Sequence, residues 1–208
     1  MMTKVKICGI TCLEDAVAAC DAGADALGFV LAPEARKRNR YIAPEKAAKI
    51  IAQMPAFVFS VAVVVNEPLE RLREYAHIFD RLQLHGDESP ETCRLLGPVA
   101  YKAFQVRTGM TLDDLAEYPA DRCLLDAWTP DSRGGAGQLC DWEFAAQAAA
   151  RQKIILAGGL TPENIAEAVR RVRPYGVDAS SSLESEPGKK DHEKIREFIN
   201  NARKASLA

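Results

Sequence analysis

The sequence predicts a closed (βα)8 barrel, an α/β fold of eight parallel strands alternating with helices. Three observations carry that prediction. Short apolar, β-branched runs alternate with helix-period segments along the whole chain. Uninterrupted alternation demands a parallel sheet, because every parallel pair needs a crossover. Eight such units share 208 residues, about 26 each, which fits the small end of this barrel class. No Pro/Ser-rich linker divides the chain, so residues 1–208 read as one barrel domain. The competing architecture is an open doubly wound sheet. It would carry a Gly-rich fingerprint after its first strand, where this chain has Cys8-Gly9-Ile10-Thr11.

The elements follow in order. Val5-Lys6-Ile7-Cys8 reads as a strand, and Thr11-Cys12-Leu13-Glu14 has the form of a capping box opening a helix to about Asp21. Asp25 to Leu31 is a second strand; Pro44 suits the first position of the next helix. Phe57 to Val65 is the strongest strand pattern, with a helix from near Pro68. Arg81 to His85 is a short strand and Pro90 to Leu96 a helix. Val99 to Gln105, Arg122 to Asp126, Lys153 to Ala157 and Tyr175 to Ser180 complete the strands. Helices are expected near 111–117, 142–150, 162–172 and 192–205.

Composition narrows the function. With 48% hydrophobic and 27% charged residues the chain can build a sizeable core. A formal charge of −2 lacks the basic footprint of a general nucleic-acid binder. No apolar run approaches the roughly 20 residues that cross a bilayer. Met1-Met2-Thr3-Lys4 is too short and polar a lead for a signal peptide, so the chain reads as cytoplasmic. Six cysteines, at 8, 12, 20, 93, 123 and 140, form no CxxC pair, and a chain with this core needs no disulfides. Three scattered histidines offer little for a metal centre.

In this barrel class the active site lies at the C-terminal ends of the strands. The two-residue period selects side chains there that face inward together. It gives Lys6 and Cys8 on strand one, Gln83 and His85 on strand four, Asp126 on strand six, and Asp178 and Ser180 on strand eight. A thiol, carboxylates, an imidazole and a lysine at one mouth could transfer protons. Lys6 on the face of Cys8 would favour a thiolate. Each also has a plainer reading: Cys8 as a small core residue, Asp126 as a loop cap, His85 as a satisfied loop histidine. Gly158, Gly159, Ser180 and Ser181 stand after strands seven and eight, where this fold recurrently binds phosphate. Gly134-Gly135-Ala136-Gly137 lacks the G-K-[ST] ending of a P-loop and serves equally well as a simple turn.

Seven segments in register now resemble one family. They are Lys6-Ile7-Cys8-Gly9-Ile10-Thr11, Gln83-Leu84-His85-Gly86, Leu124-Leu125-Asp126, Gly134 to Gly137 with Asp141-Trp142, Leu156-Ala157-Gly158-Gly159-Leu160, Gly176 to Ser181, and Pro187-Gly188-Lys189-Lys190-Asp191. Together they are similar to the phosphoribosylanthranilate isomerases of tryptophan biosynthesis over nearly the whole chain. The resemblance implies a cofactor-free, metal-free Amadori rearrangement of N-(5-phosphoribosyl)anthranilate. It implies Cys8 as general base and Asp126 as general acid. That division of labour calls for a lowered thiol pKa and a raised carboxyl pKa. It further implies Arg40, in Arg40-Tyr41-Ile42, on the anthranilate carboxylate, with His85 lining the same side. Asp178 would approach the ribose, and Gly158, Gly159, Ser180 and Ser181 would hold the phosphate. The small-molecule substrate is the expected partner, with no nucleic acid and no membrane, and the chain as monomer or homodimer.

The basic run Arg36-Lys37-Arg38-Asn39-Arg40 departs from the family pattern, which leaves open which arginine reaches the ligand. Ala136 stands where Thr or Ser is usual. Ser182 replaces the usual Gly and would be strained were φ positive there. Two rivals are a metal-using epimerase of the same fold and a barrel that binds sugar phosphate only to regulate a partner.

Overall fold

The computed structural model describes residues 2–119, 121–127 and 139–207. Eight parallel strands close into a barrel in sequence order. They are β1 (Lys4–Cys8), β2 (Ala26–Val30), β3 (Phe59–Val64), β4 (Arg81–Leu84), β5 (Ala100–Val106), β6 (Arg122–Ala127), β7 (Lys153–Leu156) and β8 (Gly176–Ala179). The helices between and after them are α1 (Leu13–Asp21), α2 (Pro44–Ile51), α3 (Leu69–Ala76), α4 (Pro90–Leu96), α5 (Leu112–Ala116), α6 (Trp142–Ala149), α7 (Ile165–Val172) and α8 (His192–Leu207). Closure is made by β1, which pairs with β2 through Lys6↔Ala26 and Cys8↔Gly28, and with β8 through Lys6↔Asp178.

Strand alternation divides the buried side chains into two layers. Val5, Ile7, Leu27, Leu82, Leu84 and Leu125 face outward and pack beneath the helices, with Ile195, Phe198 and Ile199 of α8 in the same cluster. Val61, Tyr101, Ala103, Leu124 and Ala157 form a smaller cluster of their own. The polar inward positions sit above it, because barrel interiors are filled rather than open.

Two local expectations are corrected, and one condition left open is answered. Thr11 does not cap α1: its hydroxyl donates to the Gly188 carbonyl at 2.8 Å, and the N-cap position falls on Cys12 with no side-chain cap. The capping box occurs instead at Thr111 and Asp114, on α5. The third strand begins at Phe59 rather than Phe57, because its partner β2 begins at Ala26, opposite Phe59. Phe57 is 96% exposed. Ser182 is not among the non-glycine residues with positive φ, so the feared strain is absent. Its hydroxyl donates to the Leu160 carbonyl and links the loops after β7 and β8.

Two features had no counterpart in the sequence reading. Pro33–Arg38 forms a 3-10 turn, closed by Asn39 in the left-handed region at φ 53°. After β8, the strands β9 (Glu184–Glu186) and β10 (Lys189–Lys190) form a small hairpin. A Cβ on Gly188 would lie 2.1 Å from the Asn39 carbonyl oxygen. Glycine there lets the hairpin seat directly on that turn. Among the described residues no helix is long and apolar enough to cross a membrane. The Gly134–Gly137 loop and its Ala136 lie outside the described residues.

Candidate active site

Cys8 ends β1, and its neighbour on the adjacent strand, Gly28 of β2, leaves room for it. A Cβ at Gly28 would fall 2.7 Å from the Cys8 Sγ and 3.0 Å from the Lys6 Nζ. Thiol and ammonium therefore share the space above Gly28. Lys6 is committed elsewhere: its Nζ lies 2.7 Å from Asp178 Oδ2, both side chains almost excluded from solvent. Burial works against the Lys6 charge, yet Asp178 holds the ammonium above its ordinary pKa. Asp178 in turn is raised by burial, with Lys6 opposing.

The expected lowered thiol pKa is therefore corrected. Burial raises Cys8; Lys6 and Lys190 pull it down, while Asp178 pushes it up. Lys6, shared with Asp178, and Lys190 lower the thiol by less than burial raises it. The expected raised carboxyl is found. Burial pushes Asp126 up to about 7, against a backbone hydrogen bond from Ala127 N to Oδ1 at 2.8 Å. Its other oxygen, Oδ2, lies 3.6 Å from His85 Nε2.

His85 is oriented by a relay from the barrel interior. The Tyr101 hydroxyl donates to Gln83 Oε1 at 3.0 Å, and Gln83 Nε2 lies 3.3 Å from His85 Nδ1. The Gln83 amide thus presents its N–H to Nδ1, which assigns the neutral imidazole's proton to Nε2, facing Asp126.

Of the basic run, Arg36 stacks over the Tyr41 ring at 4.3 Å, and Arg36 and Lys37 are exposed. Arg40 alone among the run's basic residues is buried. Its Nε and Nη2 each donate to Glu184 at 2.8 Å, a bidentate pair. Glu184 also accepts from Lys190 Nζ at 3.1 Å, and that ammonium donates to the Ser180 carbonyl at 3.0 Å. Burial opposes ionisation of both Glu184 and Lys190. Arg40 and Lys190 nonetheless hold Glu184 below its usual value, whereas Lys190 remains lowered. Two cations share one carboxylate, which leaves a positive surplus beside Cys8.

Gly158 and Gly159 follow β7 with φ of 82° and 63°. A Cβ on Gly158 would lie 2.6 Å from Ala127 N and 3.0 Å from Asp126 Oδ1, so the backbone closes directly on the carboxyl. Ser180 and Ser181 follow β8; Ser180 Oγ and Asp178 Oδ1 are buried and make no hydrogen bond among the described residues. The structure thus brings Cys8, Asp126, His85 and Asp178 together with the two glycines, the two serines and Arg40. Lys190, Glu184, Tyr101 and Gly28 escaped the sequence reading. Lys190 lay inside a quoted motif, but nothing in a Lys-Lys pair tells which lysine turns inward. Among the described residues no cluster of three or more His, Cys, Asp or Glu side chains is placed to hold a metal ion.

Comparison with known proteins agrees with the geometry. Residues 5–201 match the family model described as N-(5'phosphoribosyl)anthranilate (PRA) isomerase. A relative from Trichlorobacter lovleyi, named N-(5'-phosphoribosyl)anthranilate isomerase, is 51% identical over 207 residues, covering 98% of this chain and all of its own. The crystal structure of phosphoribosyl anthranilate isomerase from Thermotoga maritima is 42% identical with a TM-score of 0.86, covering 98% of this chain and 100% of that one. A further isomerase structure, in complex with reduced 1-(o-carboxyphenylamino)-1-deoxyribulose 5-phosphate, is 40% identical with a TM-score of 0.83 and covers 98% of this chain and 100% of its own. The chain belongs to the N-(5'-phosphoribosyl)anthranilate isomerase family.

Proposed function

We propose that the chain, acting as one barrel domain over residues 1–208 in the cytoplasm, converts N-(5-phosphoribosyl)anthranilate into 1-(2-carboxyphenylamino)-1-deoxyribulose 5-phosphate in tryptophan biosynthesis. The observation that carries this reading is Asp126, a carboxyl that burial pushes up to about 7 so that it holds its proton far above the usual carboxylate range, at the same rim as Cys8. Asp126 gives its proton to the furanose ring oxygen, and the C1–O bond breaks as the nitrogen lone pair forms an iminium. The Cys8 thiolate then takes the proton from the second ribose carbon. The C–H electrons become the C1–C2 double bond, the iminium collapses to a neutral enolamine, and tautomerisation gives the ketone. The substrate nitrogen is the electron sink, so the step needs no resident cofactor.

The order of events suits the ionisation of the site. A buried thiol with a raised pKa is seldom ionised, and its thiolate, a strong base, is stabilised by a nearby cation. Ring opening creates one, the iminium, on the carbon next to the proton to be removed. Proton donation by Asp126 thereby prepares the substrate for Cys8. Arg40 reads the anthranilate carboxylate, its Nε and Nη2 held by Glu184. His85 lines that side, Asp178 meets the ribose through Oδ1, and Gly158, Gly159, Ser180 and Ser181 cradle the phosphate.

The test is turnover of freshly prepared N-(5-phosphoribosyl)anthranilate, with and without a chelator, read by chromatography of the product. Conversion undiminished by chelator is expected. A chelator-sensitive epimerisation of ribulose phosphate in its place would overturn the reading in favour of the metal-using rival.

A further inference from the structure

Lys102 lies on β5 between Tyr101 and Ala103, two residues of the barrel-interior cluster, so alternation turns it outward. It is only 4% exposed, in a layer filled largely by apolar side chains. Its Nζ lies 3.0 Å from the Leu84 carbonyl oxygen, 2.7 Å from that of Gly86, 3.0 Å from that of Ala103 and 3.2 Å from Glu88 Oε2. Glu88, also buried, accepts from Gly86 N at 2.9 Å and from Asn66 N at 2.8 Å. His85 stands between Leu84 and Gly86, so these bonds enclose it. The Leu84–His85 peptide is tied at both ends, by Lys102 at its oxygen and by His85 N donating to the Val64 carbonyl at 2.8 Å. The His85–Gly86 peptide is tied through Gly86 N to Glu88. Gly86 itself has no room for a side chain, since a Cβ would lie 2.2 Å from Asn66 Oδ1.

We propose that Lys102, with Glu88, is a positioning residue: it clamps the two peptide units flanking His85 and so fixes the imidazole against Asp126. Stability alone does not call for this arrangement, because an apolar residue of similar volume commonly serves as well as a buried ion pair. What the pair adds is direction: three of its bonds, to the Leu84 carbonyl, the Gly86 carbonyl and Gly86 N, converge on the backbone around one site residue. The clamp lies behind the sheet, outside the mouth, and touches no reacting atom. Its catalytic meaning rests on the isomerase reading; its effect on the imidazole does not.

The experiment is a double-variant cycle in kcat/KM with Lys102→Met and His85→Asn, beside the imidazole NMR spectrum of wild type and Lys102→Met at one fixed pH. Lys102→Met is expected to lose about tenfold in kcat/KM in the wild-type background and less than about twofold when His85 is already Asn, the non-additivity of residues acting through one another. The His85 imidazole resonance should shift while those of His77 and His192 stay in place. Equal losses in both backgrounds, or an unmoved His85 resonance, would overturn the proposal. Should Lys102→Met not fold, Glu88→Gln, which keeps the shape, enters the same cycle and spectra. If the wild-type protein turns over no phosphoribosylanthranilate, the isomerase reading fails and the spectra alone decide whether the clamp exists.

Discussion

Lys6 and Asp178, neighbours across the seam that closes the barrel, form a buried ion pair of 2.7 Å. The pair offsets part of the Lys6 field at Cys8, where burial keeps the thiol pKa raised, and leaves Asp178 Oδ1 buried without a hydrogen bond among the described residues. Burial raises both proposed proton-transfer groups above their ordinary pKa values, Asp126 to about 7 and Cys8 above the usual thiol value of 9.0. Above pH 7 the free enzyme thus favours an ionised Asp126 beside a protonated Cys8, and the proposed reactive combination is a minority.

The pH dependence of kcat/KM follows from that ordering. With the acid's pKa below the base's, protonated Asp126 and ionised Cys8 occur together in only a small minority of the free enzyme. The rate should rise to a bend near pH 7, stay level, and fall only above pH 9. The lower bend then belongs to Asp126, not to the thiol, and should vanish in a variant at position 126. A profile falling directly above pH 7 would instead place the thiol pKa below that of Asp126.

Stability should carry the same signature. Asp126 has a pKa of about 7 when folded against 3.8 as its ordinary value. Below that ordinary value both states hold the proton and nothing is lost. As pH rises toward 7 the unfolded chain ionises first, so folding stability drops. Above 7 the full cost applies, roughly 4 kcal/mol at 1.36 kcal/mol per unit. Asp126→Asn should therefore raise the unfolding temperature at pH 8 and change it little at pH 4. An equal change at both pH values would assign the effect to packing.

Gly28→Ala tests the space shared by Lys6 and Cys8. The added methyl would meet Sγ at 2.7 Å and the Cys8 Cα at 3.1 Å. The strain should cost about 1–3 kcal/mol, and kcat should fall with the displaced thiol. Chemical denaturation and steady-state kinetics read the two effects. Unchanged kcat would mean that the thiol position tolerates such a shift.

Glu184→Gln should free the guanidinium of Arg40 from its bidentate partner and leave two buried cations with no counter-charge. Breaking a buried pair of this kind costs about 3–5 kcal/mol. KM should rise more than kcat falls, because the role proposed for Arg40 is to bind and not to transfer protons. A KM equal to wild type would separate Glu184 from recognition.

The barrel was legible because its signal is repeated: Val-, Ile- and Leu-rich strands alternate with helical segments, and Pro44 and Pro90 marked the starts of α2 and α4 where the structure has them. Inward-facing side chains were equally legible at Lys6, Cys8, Gln83 and Asp178, since a strand period of two fixes the face. Ionisation was not. Lys6 stood beside Cys8 in sequence, but its stronger partner, Asp178, is 172 residues away. Thr11 failed as a cap for a similar reason, its hydroxyl being taken by Gly188 in a distant hairpin. Lys190 and Glu184 were hidden because that hairpin is too short to have a period, and Lys102 because a polar residue facing outward looks like ordinary surface.

The most direct measurement compares single-turnover conversion of N-(5-phosphoribosyl)anthranilate by wild type, Cys8→Ala and Asp126→Asn, each checked for cooperative unfolding. Losing a general base or acid costs about 10²–10⁴ in rate. Wild type should convert the substrate, and each variant should fold normally while falling by at least two orders of magnitude. Either variant turning over at the wild-type rate would contradict a thiol and a carboxyl acting as base and acid at this rim.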